Sequence, residues 1–511
     1  MAAFFSKPSF HCSETPKLIQ EIGINQSVLQ EQHCNIESNG HKNISSSCSL
    51  EDIEFDCCYP YRKTVATEFR LVCDNQMLRS VGESMLGFGY LTGSILFGQV
   101  SDRFGRHLAL KLALFSKAIV MLTLPYLQNV YVVIFFFYLN CTFGYGTVLT
   151  SFVLVCELTG SSKRLMALCL LEFGGQFGEV VAIGLFYFTR DWRKCVQLHA
   201  FIFIFMISSI LLIVESPLWL ISNKYFKEAS FLIKSIASGN KKVLTEEKIS
   251  SIINQLSSSS GSHIASEKDA YSAIDVFRYR NLRKKALLIF FNWFTVTASF
   301  YAVYFNMSSL HSDLYTSYLL GVFINILGFA FAYIGIYCVG RRIMFSICMS
   351  SGGLTGLCLL YLSTGDRLIF ILCLIGRFFF SAAFTLVYVW SGELYPTPVR
   401  NVALGLSSIC GRVGLLLVPY ALQYGLFAQA CISLLGFASA SLSLLLPETT
   451  NCSLPQTIAD SERFSFRKCS EIFSFYSEPI SGSLSKSGDE LNELLLSDVQ
   501  IDDLSSEEVE I

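Results

Sequence analysis

Gly98-Gln99-Val100-Ser101-Asp102-Arg103-Phe104-Gly105-Arg106 closes one long apolar stretch and opens the next. The stretch from Ser84 to Ser101 carries no charge, and then three charges fall within five positions. The end of this stretch recurs: Gly105-Arg106 returns as Gly340-Arg341 at an offset of 235. Glu157, followed seven residues later by Arg164, returns as Glu393 and Arg400 at an offset of 236. Glu215 returns as Glu448 at an offset of 233. Three charged features in register mark an internal repeat whose two copies share one orientation. Anchoring by basic residues at helix ends accounts for the arginines alone. It leaves the acids unexplained, whereas two bundles tied by ion pairs at one end explain both.

Composition agrees with bundles that span a bilayer. Of 511 residues, 52% are hydrophobic and 15% charged, and mean hydropathy is +0.48. A soluble domain carries about 25% charged residues. A net charge of −2 offers no global field for nucleic acid. A spanning helix needs about 20 mostly apolar residues. Eleven such segments lie near 80–100, 108–127, 130–155, 166–189, 196–214, 286–306, 314–338, 343–362, 368–391, 401–423 and 425–446. The fold class is therefore all-α, a polytopic membrane protein. It divides into a polar region 1–78, a bundle 79–214, a linker 215–285, a bundle 286–446 and a tail 447–511. The tail is Ser-rich and acidic and reads as disordered; Met1 to Phe10 lacks the apolar core of a signal peptide.

Orientation follows from the short loops. Arg103, Arg106, Lys163, Arg164, Arg341, Arg342 and Arg400 lie on one side, against Arg190, Arg193, Lys194 and Arg367 on the other. The richer side is expected to be cytoplasmic. Six of eighteen cysteines (Cys12, Cys34, Cys48, Cys57, Cys58 and Cys73) sit within the polar region 1–78. An oxidising exterior would let them form disulfides. Asn25 and Asn43 open glycosylation sequons there, and Asn306 opens another beyond an outward-running helix.

Several motifs together resemble a known family. The Gly98–Arg106 stretch is similar to the loop motif of the major facilitator superfamily. Glu215-Ser216-Pro217-Leu218-Trp219-Leu220, Glu393-Leu394-Tyr395-Pro396-Thr397-Pro398-Val399-Arg400-Asn401 and Thr67-Glu68-Phe69-Arg70-Leu71-Val72-Cys73-Asp74 resemble signatures of its organic cation, anion and zwitterion transporter branch. Phe277-Arg278-Tyr279-Arg280 and Leu444-Leu445-Leu446-Pro447-Glu448-Thr449 look nearest to the carnitine- and zwitterion-handling members. The resemblance covers roughly residues 10–450 and implies two parallel-related bundles of six helices each. Two departures stand out. Tyr337-Cys338 occupies the place of an acid and a base in the second-half loop, and eleven helices are visible where the family has twelve, the first being the one expected to be missing.

Ionisable residues at membrane depth are costly and point to a pathway. Arg412 lies about 11 residues into its helix, near the midplane at ~1.5 Å per residue, with a guanidinium fork suited to a carboxylate. The resemblance implies that this position sets charge preference, a base favouring anions and zwitterions. The alternative is a structural ion pair between helices. Arg377, at comparable depth, aligns with a basic family position and carries the same two readings. Glu172, Gln176 and Glu179 share one helix face; there Glu172 or Glu179 would attract an ammonium group or carry a coupled proton, or pair with Lys117. The resemblance places Glu172, Trp293, Phe300, Phe384 and Tyr388 at pocket positions, where aromatic faces would hold a quaternary ammonium. The inner gate is expected from Asp102, Arg103, Arg106, Glu157, Arg164, Glu215, Arg341, Glu393, Arg400 and Glu448.

No metal-ligand spacing, nucleophile–base pair or phosphate loop stands out, so neither an enzyme nor a cofactor is expected. Two functions stay open at this level. One is a secondary transporter of small organic ions or zwitterions, carnitine-like or betaine-like, at the plasma membrane. The other is a transport-inactive member serving as a binding or accessory membrane protein.

Overall fold

The computed structural model describes residues 63–71, 75–159, 161–209, 213–240, 245–251, 253–254, 273–306, 314–361, 366–396, 399–449 and 461. Among them, eleven long helices occupy the apolar segments. They are α1 Gln76–Phe104, α2 Arg106–Thr123, α3 Val130–Leu158, α4 Ser161–Thr189, α5 Trp192–Ser209, α6 Arg280–Asn306, α7 Leu314–Cys338, α8 Arg341–Tyr361, α9 Asp366–Leu394, α10 Arg400–Ala421 and α11 Leu426–Ser443. Eight are long and apolar enough to cross a membrane by themselves. The other three, α1, α4 and α5, carry charges such as Glu83, Glu179 and Arg193. The chain is a polytopic, all-helical membrane protein. Helix α6 begins ahead of the apolar segment, taking up Arg280 to Lys285 that the sequence assigns to the linker.

The repeat is a structural one. Helices α1 to α5 correspond in order to α7 to α11, and α6 precedes the second set. Gly105 and Gly340 both adopt positive φ, 98° and 94°, at the α1–α2 and α7–α8 junctions. Glycine takes this conformation without steric cost. At Gly105 a Cβ would also lie 2.4 Å from a Glu215 carboxylate oxygen. That carboxylate accepts the backbone N–H of Arg106 at 2.9 Å and of His107 at 3.1 Å, capping α2. Glu448 does the same for α8, accepting from the N–H of Arg341 and of Arg342, each at 3.0 Å. A negative group at a helix N-terminus satisfies orphan donors and complements the dipole.

These junctions define a motif end of the molecule, opposite a far end. Contacts between the halves gather at mid-depth and toward the far end. There Ser80 donates to the carbonyl of Pro419 at 3.3 Å, Ser84 to that of Leu416 at 3.1 Å, and Gln423 to Ser80 at 2.6 Å. Tyr315 stacks edge-on against Tyr187 at 5.0 Å. A buried apolar core unites both halves here, including Leu86, Ala298, Phe305, Leu415 and Val418. A second core, including Trp293, Phe345, Phe380 and Trp390, lies within the second half. The linker contributes a small helical layer, Pro217–Ser222 and Phe226–Gly239, closed over Ile221, Ile233 and Ile249.

Candidate functional site

At the motif end, Arg106 is the hub of the first half. Its Nη2 and Nε donate to the two Glu157 oxygens at 2.8 and 3.0 Å, and Nη1 lies 3.2 Å from Asp102. In the second half Arg341 Nη2 donates to Glu393 at 3.0 Å, and the Thr449 hydroxyl donates to the other Glu393 oxygen at 2.5 Å. Exposed Tyr337 stands where the repeat would place the partner of Asp102. Glu215 and Glu448 act through the helix caps above, and Arg400 Nε donates to the Tyr395 carbonyl at 3.1 Å. Arg103 is exposed and leans over the Phe104 ring at 5.4 Å. Each described acid–base tie joins helices of one half, so the ties brace each bundle internally. The Arg164 side chain, Asn25, Asn43 and the six cysteines of residues 1–78 lie outside the described residues; Asn306 is the last residue of α6.

Within the second half, at mid-depth, the predicted aromatic residues form one continuous line. Trp293 meets Tyr388 edge-on at 4.4 Å, Tyr388 meets Phe384 at 5.4 Å, and Phe384 stacks on Phe300 at 5.3 Å. The line ends at Arg377, whose guanidinium sits 5.9 Å from the Phe300 ring centre and 5.2 Å from that of Tyr304. Trp293 is positioned from behind: its indole N–H donates to Ser391 at 3.3 Å, and α10 approaches it closely at Gly411, where a Cβ would lie 3.2 Å from the ring. Tyr388 is 43% exposed although Trp293 is 3% exposed. The ring of Tyr388 therefore faces open space while its neighbour is packed.

Arg412, next to that close approach, is 8% exposed. One guanidinium nitrogen donates to the Tyr145 hydroxyl, and the group lies 4.5 Å over the Tyr145 ring. Its Nε has no hydrogen-bond partner, and no acid forms an ion pair with it among the described residues. On α4 of the first half, Glu172 is exposed and Glu179 half-buried. Between them, Gln176 accepts a 3.4 Å hydrogen bond from Asn325, which in turn accepts one from Arg377 Nε at 3.0 Å. Among the described residues Lys117 forms no ion pair with these acids; its ammonium packs 4.1 Å over Phe203. Sequence reasoning missed Tyr145, Asn325, Tyr301 and Tyr304; polar residues on helices facing Arg412 and Arg377 were the available signal.

Outside the membrane-spanning helices, the Thr67-Glu68 motif builds a clamp at the far end. Glu68 accepts from the Trp192 indole at 2.7 Å and from Arg193 Nε at 3.0 Å, with the Lys63 ammonium at 3.3 Å. Burial pushes the Glu68 carboxyl up, but the bonds from Arg193 and Trp192 and the charges of Arg193 and Lys63 outweigh it and hold the group below its usual 4.5. Arg193 also donates to the Pro125 and Leu127 carbonyls. Residues 63–71 are thereby tied to the α2–α3 and α4–α5 connections.

Two repeated bundles meeting around buried charged and aromatic side chains are the architecture of a two-bundle membrane transporter. Comparison with known proteins makes the class specific. The chain matches the Sugar (and other) transporter family over residues 26–444. It is 30% identical to the organic cation transporter protein of Drosophila melanogaster, covering 79% of this chain and 75% of that one. It is 28% identical to the human organic cation/carnitine transporter 2, covering 78% and 72%. Its fold is similar to a partially occluded inward-open conformation of the xylose transporter XylE from E. coli, at TM-score 0.60 and 16% identity, covering 75% and 90%. This chain belongs to that transporter family of the major facilitator superfamily, in the organic cation, anion and zwitterion branch.

Proposed function

We propose that this chain carries small organic zwitterions of the carnitine or betaine kind across the plasma membrane by alternating access between its halves. The carrying observation is Arg412: a buried guanidinium at mid-depth, facing the other half, whose side-chain partner is a neutral phenol. An arginine kept only as structural glue would be expected to hold a carboxylate; this one holds none among the described residues. Glu172 and the Trp293–Tyr388–Phe384–Phe300 line offer negative charge and π faces to a cationic group. A zwitterion satisfies both ends, whereas a simple cation leaves Arg412 facing like charge. Glu172 or Glu179 is the candidate carrier of a coupled proton.

In the proposed orientation the motif end is cytoplasmic and residues 1–78 are extracellular, glycosylated and disulfide-bonded. The structure then corresponds to an outside-closed state, since the contacts between halves gather at the far end. Glycosidase added to intact cells should lower the protein's mass; protection of residues 1–78 would reverse the orientation.

Losing a charged partner in a desolvated site costs about 2–5 kcal/mol, or some thirtyfold to several-thousandfold in affinity. Arg412→Ala should therefore reduce radiotracer uptake of zwitterions and anions far more than that of cations, at matched surface expression. Arg412→Asp should shift preference toward cations. Equal loss for all three charge classes would make Arg412 structural, and absence of uptake for every class would favour the binding or accessory role.

A further inference from the structure

Tyr145 and Arg412 are remote in sequence and lie on opposite halves of the molecule. The phenol both accepts from the guanidinium and presents its ring face to it, the ring centre 4.5 Å from the guanidinium carbon. Tyr145 is held in that pose from its own half. Tyr90 of α1 packs on it at 4.9 Å. One residue on, α3 runs so close to α1 that a Cβ at Gly146 would lie 2.3 Å from the Phe97 ring. The contact therefore joins a braced residue of the first half to the charge at the centre of the second.

It is also an incomplete contact. A guanidinium has five N–H donors in a fork that fits two carboxylate oxygens, and a phenol supplies one neutral acceptor. Of the donors that Tyr145 leaves unused, the one on Nε is buried without a partner. A buried donor left unsatisfied is costly, and a bidentate anionic acceptor removes that cost. The site thus holds a weaker occupant in the place a stronger one would take.

We propose that Tyr145 is a built-in surrogate for the substrate's carboxylate. It holds Arg412 in the empty transporter and must give up its hydroxyl contact when a carboxylate arrives. This rests on the reading of Arg412 as the carboxylate holder. Two consequences follow from the geometry. Tyr145 sets an affinity threshold that only a carboxylate-bearing ligand has to overcome, because an ammonium group has no use for Arg412. And because Tyr145 and Arg412 belong to different halves, displacement removes a bond between the halves at the moment the site fills, which couples occupancy to their separation.

Tyr145→Phe tests this with the ring and the Tyr90 packing retained. L-carnitine, glutarate and tetraethylammonium serve as zwitterion, anion and cation probes, read by ligand-induced thermal shift on the purified full chain and by uptake. Removing the hydroxyl destabilises the empty state only. Apparent affinity for L-carnitine and glutarate should rise about tenfold relative to tetraethylammonium, equivalent to about 1.4 kcal/mol. Binding of either carboxylate that appears only in the variant supports the proposal as well. An unchanged ratio, weaker carboxylate binding, or no binding of either carboxylate to both proteins overturns it. Weaker binding in Tyr145→Phe together with selective loss in Arg412→Ala would make Tyr145 a direct substrate contact, leaving the reading of Arg412 intact. Equal loss for all classes in Arg412→Ala would instead remove the reading itself.

Discussion

Gly175 and Gly411 stand at equivalent places in the two halves, at the same offset of 236 that relates Glu157 to Glu393, as do Gly178 and Gly414. Their surroundings are opposite. A Cβ at Gly411 would meet Thr297 at 2.8 Å and Trp293 at 3.2 Å, and one at Gly414 would meet the Phe294 carbonyl at 2.6 Å. At Gly175 and Gly178 nothing described comes within 4 Å. The second half seats α10 against α6 on this glycine face, and Arg412, next to Gly411, reaches Tyr145 of the other half. In the first half no described residue covers the matching face of α4, and Glu172 is exposed beside it. The motif ends of the two halves, by contrast, are built alike, down to the positive-φ glycine and the capping glutamate. Local caps need only a few residues at fixed spacing to recur; a helix–helix seat needs the partner helix as well.

That contrast can be broken directly. Gly414→Leu should cause the largest loss expected here, because the obstructing atom is backbone and cannot swing aside. Overpacking costs typically about 1–3 kcal/mol, and a backbone clash belongs at or above the top of that range. Gly175→Leu should stay within about 0.5 kcal/mol, as surface changes do. Thermal unfolding of the purified variants compares them, and equal losses would mean that a segment outside the described residues covers the α4 face.

The motif ends allow a finer comparison. Arg106 holds two acids and Arg341 is tied to Glu393, with arginine side chains 11% and 18% exposed. Breaking a buried pair from one side costs about 3–5 kcal/mol. These pairs are partly exposed, so Arg106→Ala should fall short of that and of Gly414→Leu, and Arg341→Ala should cost less again, read from the same unfolding curves. A larger loss at Arg341 would show that the Tyr337-Cys338 departure does not weaken its half.

The smallest effect is a gain. Tyr337→Asp would supply, four residues before Arg341, the carboxylate that Asp102 supplies to Arg106. Exposed pairs at this spacing contribute about 0.3–0.5 kcal/mol. A small rise in unfolding temperature that disappears in high salt is expected; no rise would mean that the second junction differs in geometry from the first.

Much of this molecule could be read from residues in order. Apolar length located the eleven helices because a bilayer sets how many residues a span needs. Charged features in register disclosed the repeat, since caps and anchors depend on short spacings. Depth along a helix singled out Arg412, as an arginine among apolar neighbours is conspicuous in any sequence. The reading stopped where partners are remote in the chain. Nothing near Tyr145 announces that its hydroxyl meets Arg412, or that Asn325 bridges Gln176 and Arg377 across the two halves. Glu157 is found beside Arg106 although its sequence neighbour in the motif is Arg164. Likewise Gly175 and Gly411 are indistinguishable as letters, and only the presence of α6 against one of them separates an open face from a packed seat. Hydropathy and capping are properties of a segment and its solvent, so the chain alone expresses them. Which side chain answers a buried charge depends on how two bundles are brought together, and that is decided by tertiary packing.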